Sequence, residues 1–411
     1  MGSEGMLRHL AFFEELSGMD ESDTSWRAVS AGLVVMRLVD RWIEDASVSA
    51  PIDAWAMSAV REAIAQVSET TPIRRILTSV VDVMVASTPA DLHALVPRLM
   101  AYGQALEYEA KWALAGDVYG TITAHVHPVE DADLATGAHL QLGFCLRTLG
   151  EFEGAITTYE RASAIALQAN DLIGVLRGRL GVARVVSLRG NIPAAESILA
   201  DAIETAREHG LDQVRSAALI DRAYIAGVCD QHDRAIRYSY EALELSTSQR
   251  TRDRILNNIA TAFRFLGLRG PARDAYLVLA TTADEQYIRW MAELNLMELA
   301  ALDGVELQFD KFRRDLESAD LSPQLRVTYL LHVGRGYHAL GRAESAIPYL
   351  ERAIEVAAQY QFNQMVFEAE AALAAARRGS RADVASASTV PESLQDVVDA
   401  VHEMRETAGV G

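Results

Sequence analysis

The chain has 411 residues and a formal net charge of −19 at pH 7, and half of its residues are hydrophobic. So acidic a protein is disfavoured as a non-specific nucleic-acid binder, because such binding requires basic side chains that displace counterions from phosphates. The large hydrophobic fraction supports an extensive core and excludes a wholly disordered chain.

Four helices are predicted in the first 90 residues, where no internal repeat is evident. Apolar side chains recur at helical spacing in the first two, and Pro51 and Pro72 stand where proline is tolerated at a helix start. These helices are expected at about residues 7–16, 26–43, 52–68 and 73–87. We expect them to form a bundle that closes one end of the remaining structure.

Turn residues recur from residue 91 onward at intervals of 37 to 40 residues. They are Gly150, Gly190, Asp230, Gly267, Gly304 and Gly341. Seven residues before most of these turns stands a small residue: Gly143, Ala183, Ala223, Ala260 and Gly334. Five residues after most of them stands an alanine: Ala155, Ala195, Ala235, Ala272 and Ala346. The pattern predicts helical hairpins in which small residues allow two helices to approach closely.

The best-formed hairpin is Val327–Tyr360, with Gly334, Gly341, Ala346 and Ala353 at the small positions. It resembles a tetratricopeptide repeat, and the series covers roughly residues 91–378. The resemblance implies an all-α fold, a right-handed α-solenoid of helical hairpins preceded by the N-terminal helical bundle. The spacing exceeds the usual ~34 residues, which indicates somewhat longer helices or turns.

Three departures from the family pattern are expected to affect packing. The hairpin at Gly304 has Met297, Phe309 and Arg313 at small or apolar positions, which predicts distorted packing. The unit at about 92–125 lacks a turn glycine. Pro348 lies deep in its helix, where it removes one backbone hydrogen bond.

The predicted domain organisation has four parts. An N-terminal helical region covers 1–90, and the repeat array with a capping helix at 362–378 covers 91–378. A small, polar linker covers 379–391, and an amphipathic helix and tail cover 392–411. The last helix, with its apolar side, has two alternatives: it docks on the array or on another subunit as a homo-oligomer contact, or it is a weakly ordered tail.

No catalytic signature, cofactor motif or metal site is predicted. His125 and His127 with Glu130 and Asp131 are favoured as a solvated helix end over a metal site, because the two imidazoles diverge. Gly178 and Gly181 are favoured as packing points over a dinucleotide loop. Two distant cysteines and the lack of a signal peptide or an apolar run of spanning length favour a cytoplasmic protein without a membrane partner.

In the tetratricopeptide family, exposed first-helix positions bind extended peptides or partner segments. Carried over by register, these positions are Phe144, Arg147, Arg177, Arg184, Asp221, Tyr224, Arg254, Asn257, Asn258, Thr261, Arg264, Asn295, Glu298, His332, Arg335 and His338. Six are arginine, which binds carboxylates bidentately, and this predicts an acidic extended peptide or a chain terminus as the ligand. The alternative is that the clustering is accidental, because Lys111 and Lys311 are the only lysines and exposed basic positions are otherwise arginine. The lysines of the carboxylate clamp found in chaperone-binding members are absent here.

Two functions from different classes fit this sequence. The first is a non-enzymatic scaffold or adaptor that binds a protein or peptide in the groove of the array. The alternative is a peptide-responsive regulator, similar to bacterial regulators that join an N-terminal helical effector region to an array of long repeats. A regulator should change shape when it binds a short peptide, and a passive scaffold should not.

Overall fold

The computed structural model describes residues 8–45, 54–86, 91–360, 362–378 and 389–409. Every long regular element in these ranges is an α-helix, which confirms the all-α prediction. The chain divides into two compact units, Met1–Gly190 and Asn191–Gly411, called unit 1 and unit 2. The predicted domain boundary near residue 90 stays a prediction.

Unit 1 begins with the four predicted helices, although Leu7 and Pro51 lie outside the described residues. Its helices are α1 (Leu10–Ser17), α2 (Thr24–Asp45), α3 (Ala54–Ala65), α4 (Pro72–Ala86), α5 (Leu92–Tyr108), α6 (Trp112–His125), α7 (Ala132–Thr148), α8 (Phe152–Gln168) and α9 (Leu172–Leu188). Helix α2 packs against α1, α3, α4 and α6, because its apolar side is wide enough to need partners on several sides. One apolar core joins these helices and includes Phe12, Met36, Leu77 and Tyr119.

Unit 2 continues the succession of hairpins. Its helices are α10 (Ile192–Glu208), α11 (Asp212–Val228), α12 (His232–Leu245), α13 (Gln249–Phe265), α14 (Arg269–Thr282), α15 (Gln286–Leu302), α16 (Glu306–Glu317), α17 (Pro323–Ala339), α18 (Ala343–Gln359), α19 (Asn363–Arg378) and α20 (Gln395–Thr407). Helix α19 packs on α17 and α18, in the place predicted for the cap. Within the described ranges, none of the helices of either unit has the length and apolar character that a membrane span requires.

The turns between paired helices have the predicted backbone conformation. All six predicted turn residues have a positive φ, from 60° at Asp230 to 83° at Gly190. This left-handed conformation favours glycine, because glycine has no Cβ that would clash with the backbone. The unit at 92–125, which lacks a turn glycine, uses Ala110 with φ 60°, and Asn170 between α8 and α9 has φ 57°. A residue other than glycine therefore bears the steric cost of the turn at these places.

Close approach of helices explains the small residues of the repeat pattern. A Cβ on Gly181 of α9 would lie 2.3 Å from Cδ1 of Tyr159, and one on Gly143 of α7 would lie 2.8 Å from Cε1 of the same ring. A Cβ on Gly178 would also lie too close to its neighbours, which are the hydroxyl of Ser163 and the backbone carbonyl oxygen of Tyr159. The interpretation of Gly178 and Gly181 as packing points is confirmed.

Replacing Gly334 by alanine should lower the free energy of unfolding by about 1–3 kcal/mol, because the added Cβ would lie 2.5 Å from Cγ of Leu350. The matched control is Gly227→Ala in α11, where nothing lies within 4 Å of the added Cβ. The control should be neutral or stabilising by up to about 1 kcal/mol, because alanine is the better helix former. Urea denaturation followed by circular dichroism measures both, and equal effects would contradict the packing role of Gly334.

The hairpin at Gly304 accommodates its large residues. Met297 and Phe309 are both fully buried, and a Cβ on Gly336 of α17 would lie 2.3 Å from Cε2 of Phe309. Gly336 therefore provides the space that the larger ring needs. Helix α16 is shorter than its neighbours, with 12 residues against 17 in both α15 and α17. Pro348 lies inside α18, which continues without a break.

The last helix packs against other helices of unit 2. Pro391 precedes a 3₁₀ turn at Glu392–Leu394, and α20 follows and packs against α12 and α14. Leu394, Val397 and Val401 are fully buried in the core that these helices share. Of the two alternatives for this helix, docking is what the described residues show. Residues 379–388 of the predicted linker lie outside the described residues.

Candidate functional site

The sixteen predicted binding residues lie on the first helices of their hairpins: α7 and α9 in unit 1, and α11, α13, α15 and α17 in unit 2. Their side chains differ in exposure. Arg177, Tyr224, Arg254 and Asn258 are exposed. Partial burial is found for Phe144, Arg147, Arg184, Asn257, Thr261, Arg264, Arg335 and His338.

Four of these residues are buried, contrary to the expectation that all are exposed: Asp221, Asn295, Glu298 and His332. The reason is that first helices pack directly side by side, as α15 does on α17. His332 of α17 consequently lies with Nδ1 3.2 Å from the carbonyl oxygen of Leu294 on α15. The repeat pattern identifies the helix face but not the depth of each side chain between neighbours.

In unit 1, the arginine patch consists of Phe144, Arg147, Arg177 and Arg184. The guanidinium of Arg147 lies over the Phe144 ring, 5.0 Å from its centroid, and it also hydrogen-bonds the hydroxyl of Tyr159. Burial raises the pKa of Tyr159, and the charges of Arg147 and Arg184 oppose that rise. The buried Nε of Arg147 has no hydrogen-bond partner among the described residues.

Arg147 and Arg184 of the arginine patch both lie near Tyr159, so two positive charges come close together in an acidic chain. Neither Arg147 nor Arg177 forms an ion pair with a carboxylate of the described residues. Arginine presents a planar fork of donors that matches a carboxylate. The patch is thus chemically suited to an incoming carboxylate.

In unit 2, the buried ion cluster consists of Arg264 on α13, Glu298 on α15 and His332 on α17. Nη1 of Arg264 lies 3.2 Å from Oε2 of Glu298, and Nδ1 of His332 lies 4.0 Å from the same oxygen. The cluster links three consecutive first helices through one carboxylate.

Burial and charge act in opposite directions on this cluster. Burial raises the pKa of Glu298, but the nearby His332, Arg264 and Arg335 outweigh it and hold the pKa below its usual value. Burial lowers the pKa of His332, and the attraction of Glu298 does not fully compensate. Glu298 is therefore ionised and His332 neutral near pH 7, so Arg264 and Glu298 form the charged pair.

Polar groups without partners lie next to the buried ion cluster on α13. The hydroxyl of Thr261 donates to the carbonyl of Asn257 at 2.8 Å and lies 3.1 Å from the hydroxyl of Tyr276. Oδ1 of Asn257 and Nε of Arg264 are buried, and neither has a hydrogen-bond partner among the described residues. One is an acceptor and the other a donor, so a peptide group could satisfy both kinds of atom.

The other arginines of unit 2 are paired with glutamates that the sequence pattern did not single out. Arg254 lies 3.3 Å from Glu285, the residue that precedes α15, and Arg335 lies 3.6 Å from Glu368 of α19. With Arg264, three of the six predicted arginines thus face a carboxylate of the chain itself. The expectation that all six are available to an acidic ligand is wrong for these three.

A second ionisable cluster in unit 1 was missed by the sequence analysis. Carboxylate oxygens of Asp40 lie 3.1 Å from Arg8, 3.3 Å from His9 and 3.0 Å from His125, and Nδ1 of His9 lies 2.5 Å from Asp117. Burial lowers the pKa of His9, but Asp117 and Asp40 outweigh it and raise the pKa to about 9. Burial raises the pKa of Asp40, but its hydrogen bonds to His125, His9 and Arg8 outweigh burial and hold that pKa well below its usual range. His9 is therefore a buried cation.

A cavity of about 350 Å³ adjoins this second cluster and is lined by Arg8, His9, Phe13, Arg37, Asp40, Arg41 and Glu44. His125 contributes to the cluster through Asp40, whereas Nδ1 of His127 faces the backbone N–H groups of Val129 and Glu130. Among the described residues, no three His, Cys, Asp or Glu side chains are arranged to hold a metal ion.

Comparisons with known proteins agree with this fold. Two family models, both described as tetratricopeptide repeat, match residues 133–208 and 327–360. No curated protein matches the chain significantly.

Several solved structures are similar to this chain at low sequence identity. The Rap conjugation gene regulator of the plasmid pLS20, in complex with the Phr* peptide, is 12% identical, with a TM-score of 0.51, over 80% of this chain and 96% of the regulator. A Rap protein complexed with competence and sporulation factor is 12% identical, with a TM-score of 0.42, over 85% of this chain and 98% of that protein. The quorum sensor NprR from B. thuringiensis, in its apo form, is 12% identical, with a TM-score of 0.41, over 84% of this chain and 92% of the sensor.

The two family matches include three of the six predicted turn residues, Gly150, Gly190 and Gly341. Residues 133–208 span α7 to α10, and residues 327–360 lie on α17 and α18. The chain is a tetratricopeptide repeat-containing protein.

Proposed function

We propose that the chain is a peptide-responsive regulator in which the repeat helices bind an extended peptide and the helices α1–α4 respond. One observation carries the proposal: the fold resembles a regulator that was solved with its Phr* peptide, over 80% of this chain. The succession of N-terminal helices followed by repeat hairpins supports it. At 12% identity the likeness concerns the fold, so the binding residues are argued from the chemistry of this chain.

The arginine patch of unit 1 is the proposed contact for an acidic group of the peptide. Arg147 is held in place by the Phe144 ring below it and by Tyr159 beside it, so less side-chain freedom is lost on binding. The partly exposed Arg147 and the exposed Arg177 supply donors to a carboxylate. The arginines of unit 2 that face glutamates are poorer candidates, because a ligand would have to displace a partner.

In unit 2, the polar surface of α13 is suited to a peptide backbone. Oδ1 of Asn257 can accept a peptide N–H, and Nε of Arg264 can donate to a peptide carbonyl. This contact would not depend on the peptide sequence.

The binding test uses the full chain and an array of synthetic heptapeptides with aspartate or glutamate at each position in turn. We expect retention of acidic peptides over their lysine-substituted counterparts, and at least tenfold weaker retention by the variant Arg147→Glu/Arg177→Glu. The matched control is Arg98→Glu/Arg161→Glu, which makes the same charge change at exposed arginines of α5 and α8. If both variants lose peptide retention equally, the change in net charge explains the loss and the assigned site is contradicted.

The regulatory part of the proposal is tested by measuring hydrogen exchange of the full chain with and without the best-retained heptapeptide. Altered exchange in residues 10–86 of the wild-type chain, absent in Arg147→Glu/Arg177→Glu, is the expected result. Binding without any change in α1–α4 would identify a passive scaffold instead.

A further inference from the structure

The cavity beside the His9 cluster takes four of its seven lining residues from one face of α2. Arg37, Asp40, Arg41 and Glu44 recur at the three- and four-residue spacing that brings side chains together on a helix. The other three come from residues 8–13, which lead into α1. At about 350 Å³, this α1–α2 cavity is at the small end of the ligand sites found in proteins, which measure roughly 300–1,000 Å³. A small molecule therefore suits it better than a peptide does.

Burial separates the inner end of the α1–α2 cavity from its opening. His9 and Asp40 are buried, whereas Arg8, Arg37 and Arg41 are exposed. The Asp40 carboxylate is already paired with Arg8 and His9, so its negative charge is compensated. An incoming molecule therefore meets guanidinium groups at the opening.

Positive charge exceeds negative charge around this cavity. Four lining side chains are cationic at neutral pH: Arg8, His9, Arg37 and Arg41. Two are carboxylates: Asp40 and Glu44. Asp117 lies outside the lining and contacts Nδ1 of His9, and the four cations still outnumber the three carboxylates when it is counted. In a chain with a net charge of −19, such a local excess favours an anionic ligand.

The arginines differ in the partners that they already have. Arg8 lies 3.1 Å from Asp40 and 2.5 Å from Glu44, so two carboxylates share it. Arg37 has no carboxylate partner in the part of the chain that the structure describes. Its fork of donors is thus available to a ligand. Glu44, with a side chain that is 51% exposed, is the carboxylate that would oppose an anion at the opening.

We propose that the α1–α2 cavity binds a small phosphate monoester. Such a group presents three acceptor oxygens and a charge of about −1.5 to −2 at neutral pH, whereas a carboxylate presents two oxygens and a single charge. Three guanidinium groups around one opening match the larger charge and the greater number of acceptors. Phe13 adds an apolar lining surface for the carbon part of the molecule. The proposal does not depend on peptide binding, because the arginine patch lies on other helices, α7 and α9.

Isothermal titration calorimetry of the full chain with phenyl phosphate tests the site. We expect saturable binding that becomes at least tenfold weaker in Arg37→Gln/Arg41→Gln, because charge-assisted hydrogen bonds to the phosphate are lost. The matched control is Arg27→Gln/Arg61→Gln, which makes the same charge change at exposed arginines of α2 and α3 outside the lining. It should bind as the wild-type chain does. Circular dichroism checks that each variant is folded.

Glu44→Gln should change the affinity in the opposite direction. It removes the exposed carboxylate that competes for Arg8, so phenyl phosphate should bind about two- to fivefold more tightly. A purely structural role of these side chains would not produce a gain. An unchanged or weaker affinity in this folded variant would contradict the assigned contacts.

Two further ligands identify the group that is recognised. Benzoate has the same ring with one carboxylate and should bind at least tenfold more weakly than phenyl phosphate, and inorganic phosphate, which lacks the ring, should bind less tightly than the monoester. Equal binding of benzoate would overturn the choice of a phosphate. The site itself would be overturned if phenyl phosphate showed no saturable binding at millimolar concentrations, or if the control variant lost as much affinity as Arg37→Gln/Arg41→Gln.

Discussion

Replacing Asp40 by alanine should lower the free energy of unfolding of unit 1 by about 3–5 kcal/mol. Its carboxylate contacts Arg8, His9 and His125, and its removal leaves the buried His9 with Asp117 as its remaining carboxylate partner. Four of the five tryptophans lie in unit 1, so urea denaturation followed by tryptophan fluorescence reports chiefly on that unit.

The matched control for Asp40 is Glu44→Ala. Glu44 contacts the same Arg8, but its side chain is 51% exposed, so the loss should stay below about 1 kcal/mol. Equal losses from the two substitutions would contradict the role assigned to the buried cluster.

The same cluster gives unit 1 a stability that falls at alkaline pH. The pKa of His9 is raised to about 9 in the folded chain, above its ordinary value of 6.5. The unfolded state releases this proton first, so the contribution of His9 is complete below pH 6.5 and disappears as the pH rises through about 9. His9→Gln should remove this dependence, and a wild-type fluorescence transition unchanged between pH 6.5 and 9.5 would contradict it.

Replacing Glu298 by alanine should lower the free energy of unfolding of unit 2 by about 3–5 kcal/mol, because it leaves the partly buried guanidinium of Arg264 without its carboxylate. Hydrogen exchange in α13, α15 and α17 measures the effect, since the cluster joins these three helices. The double variant Arg264→Met/Glu298→Leu should recover most of the loss, because it removes both charges and retains apolar volume.

Two further measurements would show whether the loss of stability comes from the buried ion cluster or whether any loss of an ion pair destabilises unit 2. Glu368→Ala, which removes the partly exposed partner of Arg335, should cost less than about 1 kcal/mol. His332 has a lowered pKa, so its contribution to stability is present above about pH 6.5 and is lost as the pH falls through the folded value. Unit 2 should therefore lose stability on the acid side, opposite to the effect of His9 in unit 1.

The repeat helices were predictable because their signals are local. A turn residue, a small residue seven positions earlier and an alanine five positions later lie within one hairpin, and the six predicted turns have the expected φ. The position of α20 was not determined by its sequence, because an apolar helix face does not specify which surface will cover it. Docking, on the array or on another subunit, and a weakly ordered tail therefore stood as equal alternatives.

The ionisable clusters were not predictable, because their members are distant in sequence. His9 and Asp117 are 108 residues apart, and His332 meets the carbonyl of Leu294 across 38 residues. Glu285 and Glu368 lie outside the family's binding register, yet they neutralise Arg254 and Arg335. The sequence pattern placed the candidate residues on the first helices of the hairpins, whereas their burial and pairing depend on how neighbouring hairpins are offset. Their role in binding stays a prediction.

The contact of one aromatic ring with two hairpins limits how unit 1 can be rearranged. Tyr159 of α8 lies against Gly143 of its own hairpin partner α7 and against Gly181 of the following helix α9. Deleting or transplanting a single hairpin would thus remove one wall of that ring and expose it to water. Helices α7, α8 and α9 should therefore be moved or replaced together in protein engineering.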